Sequence, residues 1–277
     1  MPVDLTNKQV EYLMHIYEKN KDITVSDLSR VFNCSKVNSK YIVDRMIKLG
    51  VFYKENNFIK LTKIGNKVAA IYNDRKVDMK VIFEEAFGIN EEHAQELSEI
   101  LIDNSNVEFQ NRMKKISEIL NKLKRKNNKI IKNTEMESIF GSGDYKLTLS
   151  IFKEKDKFES STKLSMAIRA FNNEGNLHIG EKSEVNIYPS KIIRTLDGYI
   201  NKGFLKEIIF VRNNKEIKVP SEKKNIKIPL SLIENWYYHG AGVLQSIVDI
   251  EMVANINFNK EHRNKARFVL TINLLQI

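Results

Sequence analysis

A single cysteine, Cys34, stands in 277 residues, which excludes an internal disulfide and a cysteine-built zinc cage. No uninterrupted apolar run approaches the roughly 18 residues that a bilayer-spanning helix requires. The opening segment MPVDLTNKQVEYL has no charged start followed by an apolar block, so no signal peptide is expected and a cytoplasmic location is. Catalytic signatures are equally scarce. Gly-x-Ser-x-Gly, a phosphate loop and a dinucleotide fingerprint are missing, and His15, His93, His178, His239 and His262 show no His-x-x-x-His spacing. No enzymatic activity is expected. Negative charge is in short supply as well: 35 Asp and Glu face 45 Lys and Arg, for a net charge of +10. That balance favours polyanionic partners, which for charge alone means nucleic acid or an anionic membrane.

What the chain does contain is a run from Thr24 to Thr62 that reads as helix, tight turn, helix and hairpin. Val25, Leu28, Val31 and Phe32 recur at helical spacing behind polar Ser26 and Asp27. Asn33-Cys34-Ser35 breaks the pattern, with Cys34 either a half-buried filler of the turn or a redox sensor. Ser35 is the N-cap candidate of a second helix with Val37, Tyr41, Ile42, Met46 and Leu49 on its apolar side and Gly50 at its end. This is a helix-turn-helix, whose second helix can enter a major groove. Ser35, Lys36, Asn38, Ser39 and Lys40 then occupy the first turns away from the apolar stripe, and Arg45 follows. Amides and hydroxyls can read base edges there, and cations can meet phosphates. The next segment, Val51 to Leu61, reads as strand, Asn-Asn turn, strand: a wing placing Lys54, Asn56, Asn57 and Lys60 against the backbone.

Charge agrees with a phosphate-facing surface. Between Val25 and Lys67 the nine bases Arg30, Lys36, Lys40, Arg45, Lys48, Lys54, Lys60, Lys63 and Lys67 face only three acids, Asp27, Asp44 and Glu55. The alternative is a winged helix retained as a scaffold for protein contacts.

Around this run the expected architecture is α+β. A winged helix-turn-helix over 1–75 is followed by a helical dimerisation unit over 76–125, a basic linker over 126–144 and a β-rich domain over 145–277. The dimerisation unit rests on helices carrying Ala94, Leu97, Ile100 and Leu101, then Val107, Met113, Ile116, Ile119, Leu120 and Leu123, more apolar surface than one winged helix needs. Ile116 and Leu120 are the expected dimer contacts. The run Lys122–Lys129 is either a solvated helix end or a second phosphate contact. Beyond Gly143 the period switches to two, predicting strands at Tyr145–Phe152, Leu164–Ala170, Val185–Tyr188, Leu205–Val211, Glu216–Val219, Ile247–Phe258 and Arg267–Leu275. Asn172–Asn176 reads as a turn, and Ser190 as the cap of a helix carrying Ile192 to Ile200. The domain is a sandwich or an open sheet with a helix. Within it, Trp236-Tyr237-Tyr238-His239 before Gly240-Ala241-Gly242 is either a core corner or a ligand-pocket lining.

Residues 1–120 resemble the diphtheria-toxin-repressor and manganese-transport-regulator family of metal-dependent transcriptional repressors. The resemblance rests on the ordered blocks VSDLSRVF, SKVNSKYIVDRMIKLG, LTKIGNKVA and FGINEEHAQELSEIL. It implies a homodimer that binds a double-stranded DNA operator and senses divalent metal, Mn²⁺ or Fe²⁺, through its helical second part. It also places Glu11, Glu99 and Asp103 at metal-ligand positions. Lys8, Val77 and Ile102 stand where further ligands are expected and supply none. Glu99 and Asp103 are four apart on one helix and with Glu11 form an oxygen-only set suited to Mn²⁺ or Mg²⁺. The other reading is that these are ordinary surface carboxylates and ion-pair partners. On the residues alone, metal sensing has decayed or moved, and regulation enters through the β-rich domain.

Overall fold

The computed structural model describes residues 5–19, 21–101, 107–126, 128–153, 164–165, 168, 171–190, 192–196, 199–222, 225–256 and 260–277. The chain is a mixed helix-and-sheet protein that divides into two compact units, Met1–Glu118 and Ile119–Ile277.

In the first unit α1 (Asn7–Lys19), α2 (Val25–Val31) and α3 (Lys36–Lys48) precede the antiparallel hairpin β1 (Phe52–Glu55) and β2 (Phe58–Leu61). Helices α4 (Lys63–Glu85), α5 (Glu91–Leu101) and α6 (Val107–Lys124) follow. Tyr12, Leu13, Ile16, Leu28, Val43, Met46, Phe52, Ile59 and Val68 form one core, drawn from α1 to α4. The hairpin joins that core because Ile59 N–H donates to the Ile23 carbonyl at 2.8 Å. Residues in the loop and turns behave as their chemistry requires. Asn56 turns the hairpin at φ 58, and Gly50 ends α3 at φ 71, both left-handed. Helix α4 runs unbroken through 75–76, so the expected division there is not a break in the chain's packing.

The Leu-Thr-x-x-Gly pattern after the hairpin has a direct physical cause. Thr62 caps α4 by accepting from Gly65 N–H at 2.9 Å, and its own hydroxyl donates to the Gly50 carbonyl at 2.6 Å. Gly65 lies so close to the preceding strand entry that a Cβ on it would fall 2.1 Å from the Val51 carbonyl oxygen.

The second unit is built on an eleven-stranded antiparallel sheet. Its strands are β3 (Ile130–Lys132), β4 (Gly143–Lys153), β5 (Phe171–Ile179), β6 (Glu184–Pro189), β7 (Ile192–Leu196), β8 (Tyr199–Arg212), β9 (Lys215–Pro220), β10 (Ile226–Pro229), β11 (Asn235–Gly240), β12 (Val243–Ile256) and β13 (Lys260–Asn273). The main order is β10-β6-β5-β4-β13-β12-β11-β3. The sheet forks at β12, which pairs with β11 near Val243–Gln245 and with β8 over Glu251–Ile256, while β8 also holds β7 and β9. Alternation produces the core: Tyr145, Leu147, Leu149 and Ile151 of β4 and Ala266, Phe268, Leu270 and Ile272 of β13 are buried.

Several expectations are corrected here. Residues 126–144 are not a linker: β3 pairs with β11, and the short helix α7 (Met136–Phe140) buries Met136, Ile139 and Phe140. Lys122 spends its ammonium on the Ser138 carbonyl at 2.9 Å, and Lys126 pairs with Glu135, so both serve this local structure. Asn172–Asn176 is strand rather than turn: β4 pairs with Glu174, Gly175 and Asn176, and β6 pairs with Gly175 and Asn176 from the other side; a Cβ on Gly175 would meet the Asn186 carbonyl at 2.7 Å. The helix expected after Ser190 is the β7–β8 hairpin, whose isoleucines gain ladder partners in registers such as Ile192 with Gly203. Of the strand expected at 164–170, Leu164 makes an isolated bridge to Phe152, and residues 166, 167, 169 and 170 lie outside the described ones. Trp236 and Tyr238 point inward and Tyr237 and His239 outward on β11, with Gly240, Ala241 and Gly242 forming the left-handed bend, so this stretch is a core corner. Ile116 and Leu120, the expected dimer contacts, are already buried within the single chain. Among the described residues no helix is long and apolar enough to cross a membrane.

The Gly65 contact yields a stability test. Gly65→Ala forces either the start of α4 or the Val51 backbone to shift, and chemical denaturation should register a loss of about 1–3 kcal/mol.

Candidate nucleic-acid interface

The segment from Thr24 to Lys48 is shaped by its polar residues. Thr24 and Asp27 form a reciprocal capping box at the start of α2, with the Thr24 N–H donating to the Asp27 carboxylate at 3.0 Å and the Asp27 N–H to the Thr24 hydroxyl at 3.3 Å. Asn33 turns the chain at φ 44. Ser35 is the N-cap of α3, accepting from Asn38 N–H at 3.1 Å.

One buried contact sets which way α3 faces. Ser39 has no exposed surface, and its hydroxyl lies 2.7 Å from that of Tyr12, which is also fully buried. Cys34 completes the group, with its sulfur 3.3 Å from Tyr12 Oη and 3.6 Å from Ser39 Oγ. Burial, then the bond to Cys34, pushes the Tyr12 phenol up to about 12, so it stays protonated. The hydrogen bonds from Tyr12 and Ser39 pull the thiol down from its ordinary value. Cys34 therefore joins a hydrogen-bonded core group that includes the turn. Ser39 is removed from the expected base-reading set: with Val43 and Met46 it occupies positions i, i+4 and i+7, the inner face of the helix.

The same rotation reverses two further assignments. Val37 and Tyr41, expected on the apolar inner stripe, are 77% and 64% exposed. They lie one turn apart at the centre of the outer face, with Lys48 further along and Lys36, Asn38, Lys40 and Arg45 around them. Among the described residues none of Lys36, Lys40, Arg45 and Lys48 is ion-paired. Asp44, the one carboxylate of α3, is taken up by Lys54 of the hairpin at 3.4 Å. The face thus combines unpaired cations, one amide, one phenol and one branched apolar side chain. Phosphates, base edges and thymine methyl groups are the matching chemistries. Sequence reasoning missed Val37 and Tyr41, and counted Lys48 only within the basic surface, although the polar character of Ser39 at an inner position was the available clue.

The hairpin contributes differently from its expected role. Asn56 and Asn57 are exposed at its tip, as a backbone-touching wing requires. Lys60, however, pairs with Glu55, which raises its pKa, and lies 3.8 Å from Asp22. Lys54 and Lys60 therefore brace the hairpin against its surroundings, and a phosphate would have to displace a carboxylate to reach either.

A second cluster lies on α1, α4 and α5. A cavity of about 210 Å³ is lined by Val10, Glu11, Met14, His15, Glu18, Phe32, Lys76 and Glu99. Two of the three carboxylates given to a metal by the resemblance, Glu11 and Glu99, thus border one space; Asp103 lies outside the described residues. Their donor atoms are engaged elsewhere. Lys8 holds Glu11 at 2.6 Å and also stacks its ammonium over the Phe32 ring at 4.8 Å. Lys76 holds Glu99 at 2.7 Å. Burial of Glu99 is outweighed by the bonds from Lys76 and Gln95, so its pKa is lowered. Burial pulls His15 down. Among the described residues no group of three or more His, Cys, Asp or Glu side chains is placed to hold a metal ion. The residues present do not fit a divalent cation. Asp74 and Asp78, an acidic i, i+4 pair on α4, do no better: burial raises the Asp78 pKa, against a hydrogen bond from Ser117.

No family model and no curated protein matches this sequence. Solved structures do give likenesses. The IdeR of T. acidophilum is 11% identical, with 81% of this chain and 98% of that chain covered, and superposes with a TM-score of 0.34. The manganese regulator SloR is 13% identical over 80% of this chain and 97% of its own, with a TM-score of 0.35. ScaR with bound Zn²⁺ is 11% identical over 80% of this chain and 99% of its own, with a TM-score of 0.36. SloR is named a manganese regulator and ScaR a manganese-activated repressor. At such TM-scores the functional reading stands on this chain's own residues.

Proposed function

We propose that this chain is a DNA-binding transcriptional regulator, a repressor of the diphtheria-toxin-repressor type that acts without its family's metal. Its first unit is read as a winged helix-turn-helix, with α3 as the reading helix and β1–β2 as the wing. The observation that carries this reading is the outer face of α3, where Lys36, Lys40, Arg45 and Lys48 stand unpaired around Val37, Asn38 and Tyr41. A protein-binding scaffold has no need of four uncompensated cations on one helix, whereas a polyphosphate supplies their counter-charges. The protein works in the cytoplasm, performs no catalysis, and uses the second unit for effector sensing or oligomer state.

Homodimerisation is assigned to α4–α5 and the start of α6 rather than to Ile116 and Leu120. Phe87 and Ile100 are 58% and 68% exposed, and Leu101 and Val107 add further apolar surface. Exposed apolar side chains of this size favour association, and a two-fold pair of reading helices would address paired half-sites.

Lys36→Ala with Lys40→Ala should weaken binding to the promoter of the protein's own gene and to unrelated duplexes alike. It should also lower the slope of log affinity against log salt by about 2. Ser39→Ala serves as the contrast, since it should cost about 1–3 kcal/mol of folding stability by leaving the buried Tyr12 hydroxyl with only the weak Cys34 sulfur as partner, yet leave the salt slope as it was. If the double-lysine protein binds DNA as wild type does at every salt concentration, α3 is not the reader and the scaffold reading takes over.

Phe87→Asp with Ile100→Asp should convert the protein to monomer in sedimentation velocity. A dimer that persists moves the interface to the sheet unit. Added Mn²⁺ or Fe²⁺ should leave promoter affinity unchanged in wild type, as a mobility-shift titration at constant ionic strength would register.

A further inference from the structure

Lys76 is the charged residue of α4 most withdrawn from water, 8% exposed. Its ammonium reaches two helices at once: Glu18 Oε1 of α1 and Glu99 Oε1 of α5 each accept from Nζ at 2.7 Å. Gln95 Nε2 donates to Glu99 at 2.7 Å and steadies that carboxylate from its own helix. Burial disfavours the charged lysine, and the bonds from Glu18 and Glu99 outweigh it, so its pKa is raised and the ammonium persists. Helix α4 packs against both α1 and α5. One cation on the central helix therefore holds an anion from each flanking helix.

The surroundings sharpen the point. Glu11, His15 and Glu18 fall at i, i+4 and i+7 on α1, a single face, and line the same cavity as Lys76 and Glu99. Oxygen and imidazole donors from two helices around one space are the ingredients of a divalent-cation site. The titratable groups lining this space are Glu11, His15 and Glu18 from α1, Lys76 from α4 and Glu99 from α5, with Lys8 held against Glu11. Lys76 occupies the point on which the two carboxylates converge, and a divalent cation entering there would meet its positive charge at short range.

We propose that Lys76 is a resident cation: it clamps α1 to α5 permanently, through Glu18 and Glu99, and it excludes divalent metal from the cavity they border. The junction is thereby closed at all metal concentrations, so metal availability cannot open or shut it. This inference is independent of the DNA-binding reading.

The test uses the full chain, Mn²⁺ as the probe and hydrogen exchange as the local readout. Wild type should show no saturable heat with Mn²⁺. Lys76→Ala should speed amide exchange in α1 and α5 by at least ~10-fold, reflecting local opening of the unclamped helices. It should also acquire Mn²⁺ binding that disappears when Glu99→Ala is added, and Mn²⁺ should slow the exchange again. Lys76→Arg, which keeps the charge, should keep both the protection and the blindness to Mn²⁺. Saturable Mn²⁺ binding by wild type that Glu99→Ala abolishes overturns the exclusion, and so does a Lys76→Ala protein that binds no Mn²⁺. Exchange rates in α1 and α5 unchanged by Lys76→Ala overturn the clamp. Should Lys76→Ala not fold, Glu18→Gln with Glu99→Gln carries the clamp test and Lys76→Arg the exclusion test: unchanged exchange overturns the first, Mn²⁺ binding the second.

Discussion

The hydrogen bond between Tyr12 and Ser39 governs the geometry of the first unit. Both hydroxyls are out of water, and each satisfies the other at 2.7 Å. Leaving either unpaired in that core would be costly, so α3 is held with Ser39, Val43 and Met46 inward. A helix has one rotational setting once its inner face is chosen. Val37 and Tyr41 are then outward, as are the cations at 36, 40, 45 and 48. The proposed reading surface is thus a consequence of a polar core contact two turns from its far end.

Charge is distributed by the same logic of local satisfaction. The three carboxylates between Val25 and Lys67 are engaged elsewhere: Asp27 in the capping box, Asp44 with Lys54, Glu55 with Lys60. Lys36, Lys40, Arg45 and Lys48 are left over on the outer face of α3. In the α1–α4–α5 cluster the arrangement is inverted, since carboxylates outnumber bases and buried Lys76 is drawn in to compensate. Counting residues shows the excess of positive charge; only the pairing shows where it is unspent.

Much of the first unit was legible because its signals are local. A Ser35 cap, an Asn33 turn, a Gly50 stop and a Thr62 cap each act within a few residues, and all are found where the spacing predicts them. Long alternating strands such as β12 and β13 were legible for the same reason, since period two marks one buried face. The misreadings share the opposite character. Asn172–Asn176 and the segment after Ser190 carry turn or helix signals that neighbouring strands override by supplying backbone partners from distant sequence. The 126–144 stretch looks like a linker by composition, yet β11, a hundred residues away in sequence, recruits Ile130–Lys132 as an edge strand.

By itself the sequence determined much of the first unit's inventory: which segments between 7 and 62 are helical or extended, where they start and stop, the positive balance of 24–67, and the lack of a cysteine or histidine cage motif. Those properties depend on residues within a turn or two of each other. Tertiary structure alone decided which face of α3 is presented, that Glu11 and Glu99 share a cavity, and that Lys76 takes up Glu99. The reason is physical. Helical periodicity leaves the rotational setting of a helix with one serine and mixed apolar residues ambiguous, and partners as far apart as Glu18, Lys76 and Glu99 meet only when the helices pack.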